Sequence, residues 1–140
     1  MKSWKFYATY AKTYRKKRWK QGNGKPIKKD KEFHQKYGFF KEDTWALSEE
    51  HACWLLPRIA YLRDVHHGFP AEFCTFLDGK DITNTEEMDA KWTGILNQIA
   101  KGLYLYLKKQ EALDPLTYKE QQKINEAFAL LKRYHMYLSD

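Results

Sequence analysis

Residues 84–109, NTEEMDAKWTGILNQIAKGLYLYLKK, decide the fold. Met88, Trp92, Ile95, Leu96, Ile99 and Leu103 fall at i, i+4, i+7, i+8, i+11 and i+15, the spacing of one face of an α-helix. Asn84 with Glu87, or Thr83 with Glu86, stands at capping-box spacing and starts it. The helix is expected to reach Lys109 before Asp114-Pro115 turns the chain. Thr117 and Glu120 repeat the capping signal, and Ile124, Ala127, Phe128, Leu131, Tyr134 and Leu138 form the stripe of a last helix.

Upstream, Ser48 reads as an N-cap, with Glu49 and Glu50 in the first turn where they complement the helix dipole. Ala52, Leu55, Leu56, Ile59 and Leu62 follow as a buried stripe, ended by Gly68 and Pro70 after His66-His67. Pro57 lies inside this pattern. It removes one backbone bond and crowds the carbonyl of Cys53, which predicts a kink there or two shorter helices meeting near Leu56. Residues 69–84 read as irregular, with Phe73-Cys74-Thr75-Phe76 as a candidate short strand. At the other end of the chain Trp4, Tyr7, Ala8, Ala11 and Tyr14 recur at helical spacing beside a stripe of Lys5, Lys12, Lys16 and Lys20. That predicts a helix over about residues 3–20, stopped by Gly22-Asn23-Gly24-Lys25-Pro26. A short helix from about Asp30 to Tyr37 ends at Gly38. The expected fold is all-α: a single-domain helical bundle of four to five helices, with no internal repeat.

A chain of 140 residues suits one domain, and 43% hydrophobic residues are too many for wholesale disorder. No apolar run approaches the ~20 residues of a membrane span and no signal peptide opens the chain, so a soluble, cytoplasmic protein with no membrane partner is expected. Two cysteines exclude a disulfide scaffold and a four-cysteine zinc site. Charge is uneven. Residues 1–41 hold 14 Lys and Arg against 2 Asp and Glu, a net of +12, while residues 42–140 hold 11 against 16, a net of −5. Such a basic arm attracts polyanions, or it docks on an acidic surface of its own fold or of a partner. Rings interleaved with its lysines, among them Trp4, Tyr7, Tyr10 and Tyr14, imply that much of it is ordered.

Catalytic patterns are sparse. His66-His67 with Asp64 invites a metal reading, but adjacent helical residues point about 100° apart and rarely share an ion; cations in a last helical turn explain the pair without one. Cys53, with His51 or His135 as a base, is a formal nucleophile, yet its place mid-stripe suits an inert thiol. The acidic pairs Glu42-Asp43, Glu49-Glu50 and Glu86-Glu87 fall at or just before helix starts. No phosphate loop is present, so neither an enzyme nor a cofactor or metal is expected.

Arg58 is different. His51, Trp54, Arg58 and Tyr61 share a helix face, and a guanidinium beside aromatic rings makes a competent anion site. The competing reading, the commoner fate of such an arginine, pairs it with an acid such as Asp43 and leaves Trp54 in the core. Rings number 5 Trp, 10 Tyr and 8 Phe, more than a small bundle hides, which predicts a pocket or a homo-oligomer contact.

The string Gly38-Phe39-Phe40-Lys41-Glu42-Asp43-Thr44-Trp45-Ala46-Leu47, then Leu55-Leu56-Pro57-Arg58, Gly68-Phe69-Pro70 and Trp92-Thr93-Gly94-Ile95-Leu96, resembles a group of small proteins of tailed bacteriophages over about residues 37–138. Ala127 stands where that group typically has a glycine and Ala46 where it has a polar residue. The group brings no activity with it, so the resemblance implies a setting: a phage accessory protein that binds and blocks something in the host cytoplasm. The leading expectation is a non-enzymatic, oligomeric helical protein that captures a small anionic ligand, in its sharpest form a nucleotide immune signal. Arg58, Arg63, Lys12, Arg15 and Lys16 would hold phosphate, with His51, Trp54 and Tyr61 beside the base. Nucleic-acid binding through the basic helix, or docking of the arm on an acidic host enzyme, are the alternatives.

Overall fold

The structure is a computed structural model; it describes residues 1–21, 28–44 and 46–139, with the side chains of residues 19–21 excepted. Five α-helices dominate: α1 (Trp4–Gln21), α2 (Lys28–Tyr37), α3 (Leu47–Val65), α4 (Thr85–Ala112) and α5 (Tyr118–Tyr134). The all-α bundle read from the periodicities is the architecture found. Short 3-10 turns occupy Lys41–Thr44, Ala71–Phe73 and His135–Tyr137.

Helices α3 and α4 form the central pair, with α1 laid on α3 and α5 on α4. The stripe that decided the fold does as its spacing required, burying Trp92, Leu96, Ile99 and Leu103, and Ala100 and Leu107 join them in the core. Leu56, Ile59, Ala52 and Cys53 meet them from α3, and Tyr7, Ala11 and Tyr14 from α1. The first helix of the basic arm is thus part of the one core. Helix α2 buries no residue and is held by ring contacts, Phe33 edge-on to Phe39 at 5.4 Å and His34 stacked on Phe40 at 4.3 Å.

Several local expectations hold and several do not. Asn84 accepts from the Glu87 amide at 3.1 Å, and Thr117 with Glu120 completes the capping box that starts α5. Helix α4 runs on to Ala112, past Lys109, and closes on Leu113 in the left-handed region (φ 53°). Ser48 is not the N-cap of α3. The helix begins after Ala46 with no side-chain cap, because the Ser48 hydroxyl instead bonds the Tyr106 hydroxyl on α4 at 2.8 Å. Pro57 does not split the helix: α3 is continuous through it. The segment Phe73-Cys74-Thr75-Phe76 is no strand; a 3-10 turn ends at Phe73, and the strands are β1 (Phe76–Leu77) and β2 (Lys80–Asp81), paired antiparallel. Asp78 and Gly79 join them at φ 51° and 74°, the two positive values of a tight hairpin turn, and an Asp-Gly dipeptide is its usual sequence signal. The predicted helix stop at residues 22–26, and Trp45, lie outside the described residues.

Gly102 sets the spacing of α4 and α5. It is buried, and a Cβ there would collide with the Cβ of Ala127, so the two helices approach at a point where one partner must lack a side chain. Gly102→Ala is expected to cost about 1–3 kcal/mol of stability by overpacking. Adding Ala127→Gly in the same chain should restore part of that loss, as measured by chemical denaturation of the single and double variants.

Candidate functional site

The basic arm meets the acids of the body. On α1, Arg15 pairs with Glu50 at 2.9 Å; Arg18 reaches Glu50 at 2.6 Å and Asp43 at 3.4 Å; Lys17 reaches Glu111 at 2.8 Å. The Tyr10 hydroxyl donates to Glu111 at 2.9 Å and the Tyr14 hydroxyl to Glu49. Burial, reinforced by these carboxylates, pushes both phenols above their ordinary range. Of the readings open for the arm, docking on an acidic surface of its own fold describes these cations.

The innermost contact is Arg63, 3% exposed at the end of α3. Its guanidinium donates to Asp64 at 2.8 Å, to Asn97 of α4 at 2.9 Å and to the Lys2 carbonyl at 2.5 Å, just before α1. Asp64 in turn accepts from the Trp4 amide, in the first turn of α1, at 3.2 Å. These hydrogen bonds hold the Asp64 carboxyl below its ordinary value of 3.8. Its contribution to stability is therefore complete above that value and is lost as pH falls through the lower, folded-state one. Arg63→Met is expected to destabilise the protein by about 3 kcal/mol at neutral pH, because it strands Asn97 and the Lys2 carbonyl and unpairs Asp64. Denaturation at a series of pH values should show the gap to the parent protein narrowing below about 3.8.

His51 and Trp54, on the outer face of α3, line two hollows among the described residues. The first, about 650 Å³, lies against α2 and the turn at Lys41–Thr44 and is walled by His34, Phe39, Phe40 and Trp54. Arg15 faces it with Nε shielded from water and making no hydrogen bond among the described residues, but Asp43 and Glu50 stand in the same wall. The second, about 400 Å³, is a trough between α3 and α5. Its floor is Leu55, Ile59, Leu62, Leu131 and Leu138; its rim is His51, Trp54, Arg58 and His135, and no carboxylate among the described residues lines it.

Pro57 precedes the arginine of that rim. Having no N–H, it gives the helix no bond to the Cys53 carbonyl. The next residue, Arg58, folds back one turn: its Nη1 donates to the Trp54 carbonyl at 2.7 Å and its guanidinium lies 4.2 Å from the Trp54 ring centroid. Arg58 forms no ion pair among the described residues, and Asp43 belongs to Arg18. Trp54 is not in the core but 50% exposed.

The predicted ligand set therefore divides. His51, Trp54 and Arg58 come together, as one helix face requires. Arg63 is withdrawn from it: five residues on from Arg58 it points about 140° around the helix, into the bundle. Tyr61 packs edge-on against Trp4 at 5.0 Å and lines neither hollow. Arg15 faces the other hollow, and Lys12 and Lys16 are exposed on α1 away from both. Leu131, His135 and Leu138 were missed as site residues, because residues 131 and 138 read as core stripe and nothing in the sequence says that α5 leaves them beside α3.

The histidine pair and Cys53 have structural partners of their own. His66 bonds the Gly68 carbonyl at 2.9 Å and Thr93 at 2.8 Å, and no three metal-ligating side chains cluster among the described residues. Cys53 is buried, and burial pushes its thiol up to about 11, away from the nucleophilic form. No described helix is long and apolar enough to cross a membrane. Comparison with known proteins finds no matching family model, curated protein or solved structure.

Proposed function

We propose that this chain is a non-enzymatic binding protein that captures a small anionic ligand in the trough between α3 and α5. One observation carries the reading: Arg58, His51 and His135 face a hollow that no carboxylate lines among the described residues, whereas Asp43 and Glu50 stand in the wall of the ring-walled hollow beside it. An anion there meets a guanidinium already held against a ring, and the fork of donors that Arg58 retains suits a carboxylate or a phosphate. In the phage setting that the sequence resemblance implies, the sharpest version is sequestration of a nucleotide signal to blunt host defence, with phosphate on Arg58 and the base against Trp54. A second copy of the chain would find apolar surface on the hairpin, where Phe76, Leu77 and Ile82 are all exposed. Calorimetry against linear and cyclic mononucleotides and inorganic phosphate is expected to give heat that Arg58→Gln reduces tenfold or more in affinity, on the order of one charge-assisted hydrogen bond. Silence toward nucleotides and phosphate overturns the nucleotide version, and silence toward carboxylates as well overturns anion capture.

A second reading rests on α1. Lys12 and Lys16 are exposed there and make no ion pair among the described residues, and Lys28, Lys29, Lys31 and Lys36 of α2 are exposed as well. These exposed lysines support a nucleic-acid interface as the alternative. Gel shifts with short duplexes and single strands should then weaken steeply with salt, with a slope of about −0.7 to −0.9 per phosphate contact. Lys12→Glu with Lys16→Glu should abolish the shift and leave any ligand heat at the trough unchanged.

A further inference from the structure

The trough says more about its guest than the sign of its charge. Five aliphatic side chains make its floor, three from α3 (Leu55, Ile59, Leu62), one from α5 (Leu131) and one beyond it (Leu138). Among the described residues its single permanent cation is Arg58, at the rim, and no lysine lines it. Sugar hydroxyls would find nothing on that floor to replace the hydrogen bonds they give up to water, a cost that an alkyl chain does not incur. A chain of phosphates would find one guanidinium where several cations are needed. An alkyl body gains from every methylene it removes from water, and a single anionic head meets a guanidinium whose position is already fixed by the Trp54 carbonyl and ring.

We infer that the ligand class of this site is a soluble, single-headed aliphatic anion, a straight-chain monocarboxylate, with its head on Arg58 and its chain along the floor of Leu55, Ile59, Leu62, Leu131 and Leu138. The inference rests on the anion-capture reading above and narrows it. The hollow, about 400 Å³, takes one such molecule of medium chain length.

Calorimetry on the full chain with hexanoate, octanoate and decanoate tests it, with adenosine monophosphate and decyltrimethylammonium alongside. Each added pair of methylenes is expected to tighten binding about tenfold until the floor is full. Arg58→Gln, at an exposed position, should weaken decanoate binding about tenfold or more, and Leu138→Asp should weaken it further by placing a like charge on the floor. Decyltrimethylammonium should not bind. If the nucleotide binds through Arg58 while the carboxylates show no chain-length dependence, the inference falls and anion capture stands. If decyltrimethylammonium binds as well as decanoate, the groove is merely apolar and the inference falls. If no anion binds at all, the capture reading falls and takes the inference with it.

Discussion

A guanidinium cannot be taken out of water without donors and acceptors to replace it, and Arg63 is almost wholly out of water. Its neighbours supply the replacement: a carboxylate on its own helix, an amide oxygen on α4 and a main-chain carbonyl just before α1. Three segments distant in sequence are thereby tied at one point, and the position of the basic arm follows from it. Once Lys2 and Trp4 are held at the end of α3, Tyr7, Ala11 and Tyr14 can only fall into the groove where they are buried, and Arg15, Lys17 and Arg18 arrive over Glu50, Glu111 and Asp43. The contact defines register more than it adds net stability, since desolvating the ions offsets much of their attraction.

This arrangement changes what the excess of positive charge means. A net of +12 over residues 1–41 looks like an invitation to polyanions, yet the cations of the inward face of α1 are neutralised by the body. What faces outward is a smaller set of lysines on α1 and α2. Among the described residues the arginine left without an acid lies elsewhere, on α3. Pro57 and Arg58 are neighbours there. The proline removes one backbone bond from a continuous helix, and the arginine next to it turns back over Trp54. The ring and the cation are thus presented to a trough, rather than to the core or to an acid.

Much of the bundle was legible along the chain, because the 3.6-residue period and the capping pairs are local properties. Asn84 with Glu87 and Thr117 with Glu120 needed no tertiary information, and neither did the stripe from Met88 to Leu103. The failures share a cause. Ser48 has every local reason to cap α3, and a hydroxyl on α4 takes it instead. The hairpin was the one local signal overlooked, in an Asp-Gly pair that carries its turn. Arg63 was placed among the ligand-binding cations because spacing along one helix counts residues, whereas a difference of five turns the side chain to the opposite side.

By itself the sequence determined the all-α class, the extent of most helices, the burial of Cys53 and the shared face of His51, Trp54 and Arg58, since each of these is settled within a few turns of chain. Which cations are neutralised, which rings are buried and where α5 leaves Leu131, His135 and Leu138 were decided only by the tertiary structure. The reason is that pairing and burial depend on what lies across a helix–helix contact, and Gly102 against Ala127 shows how closely such a contact must be met before either partner's role is defined.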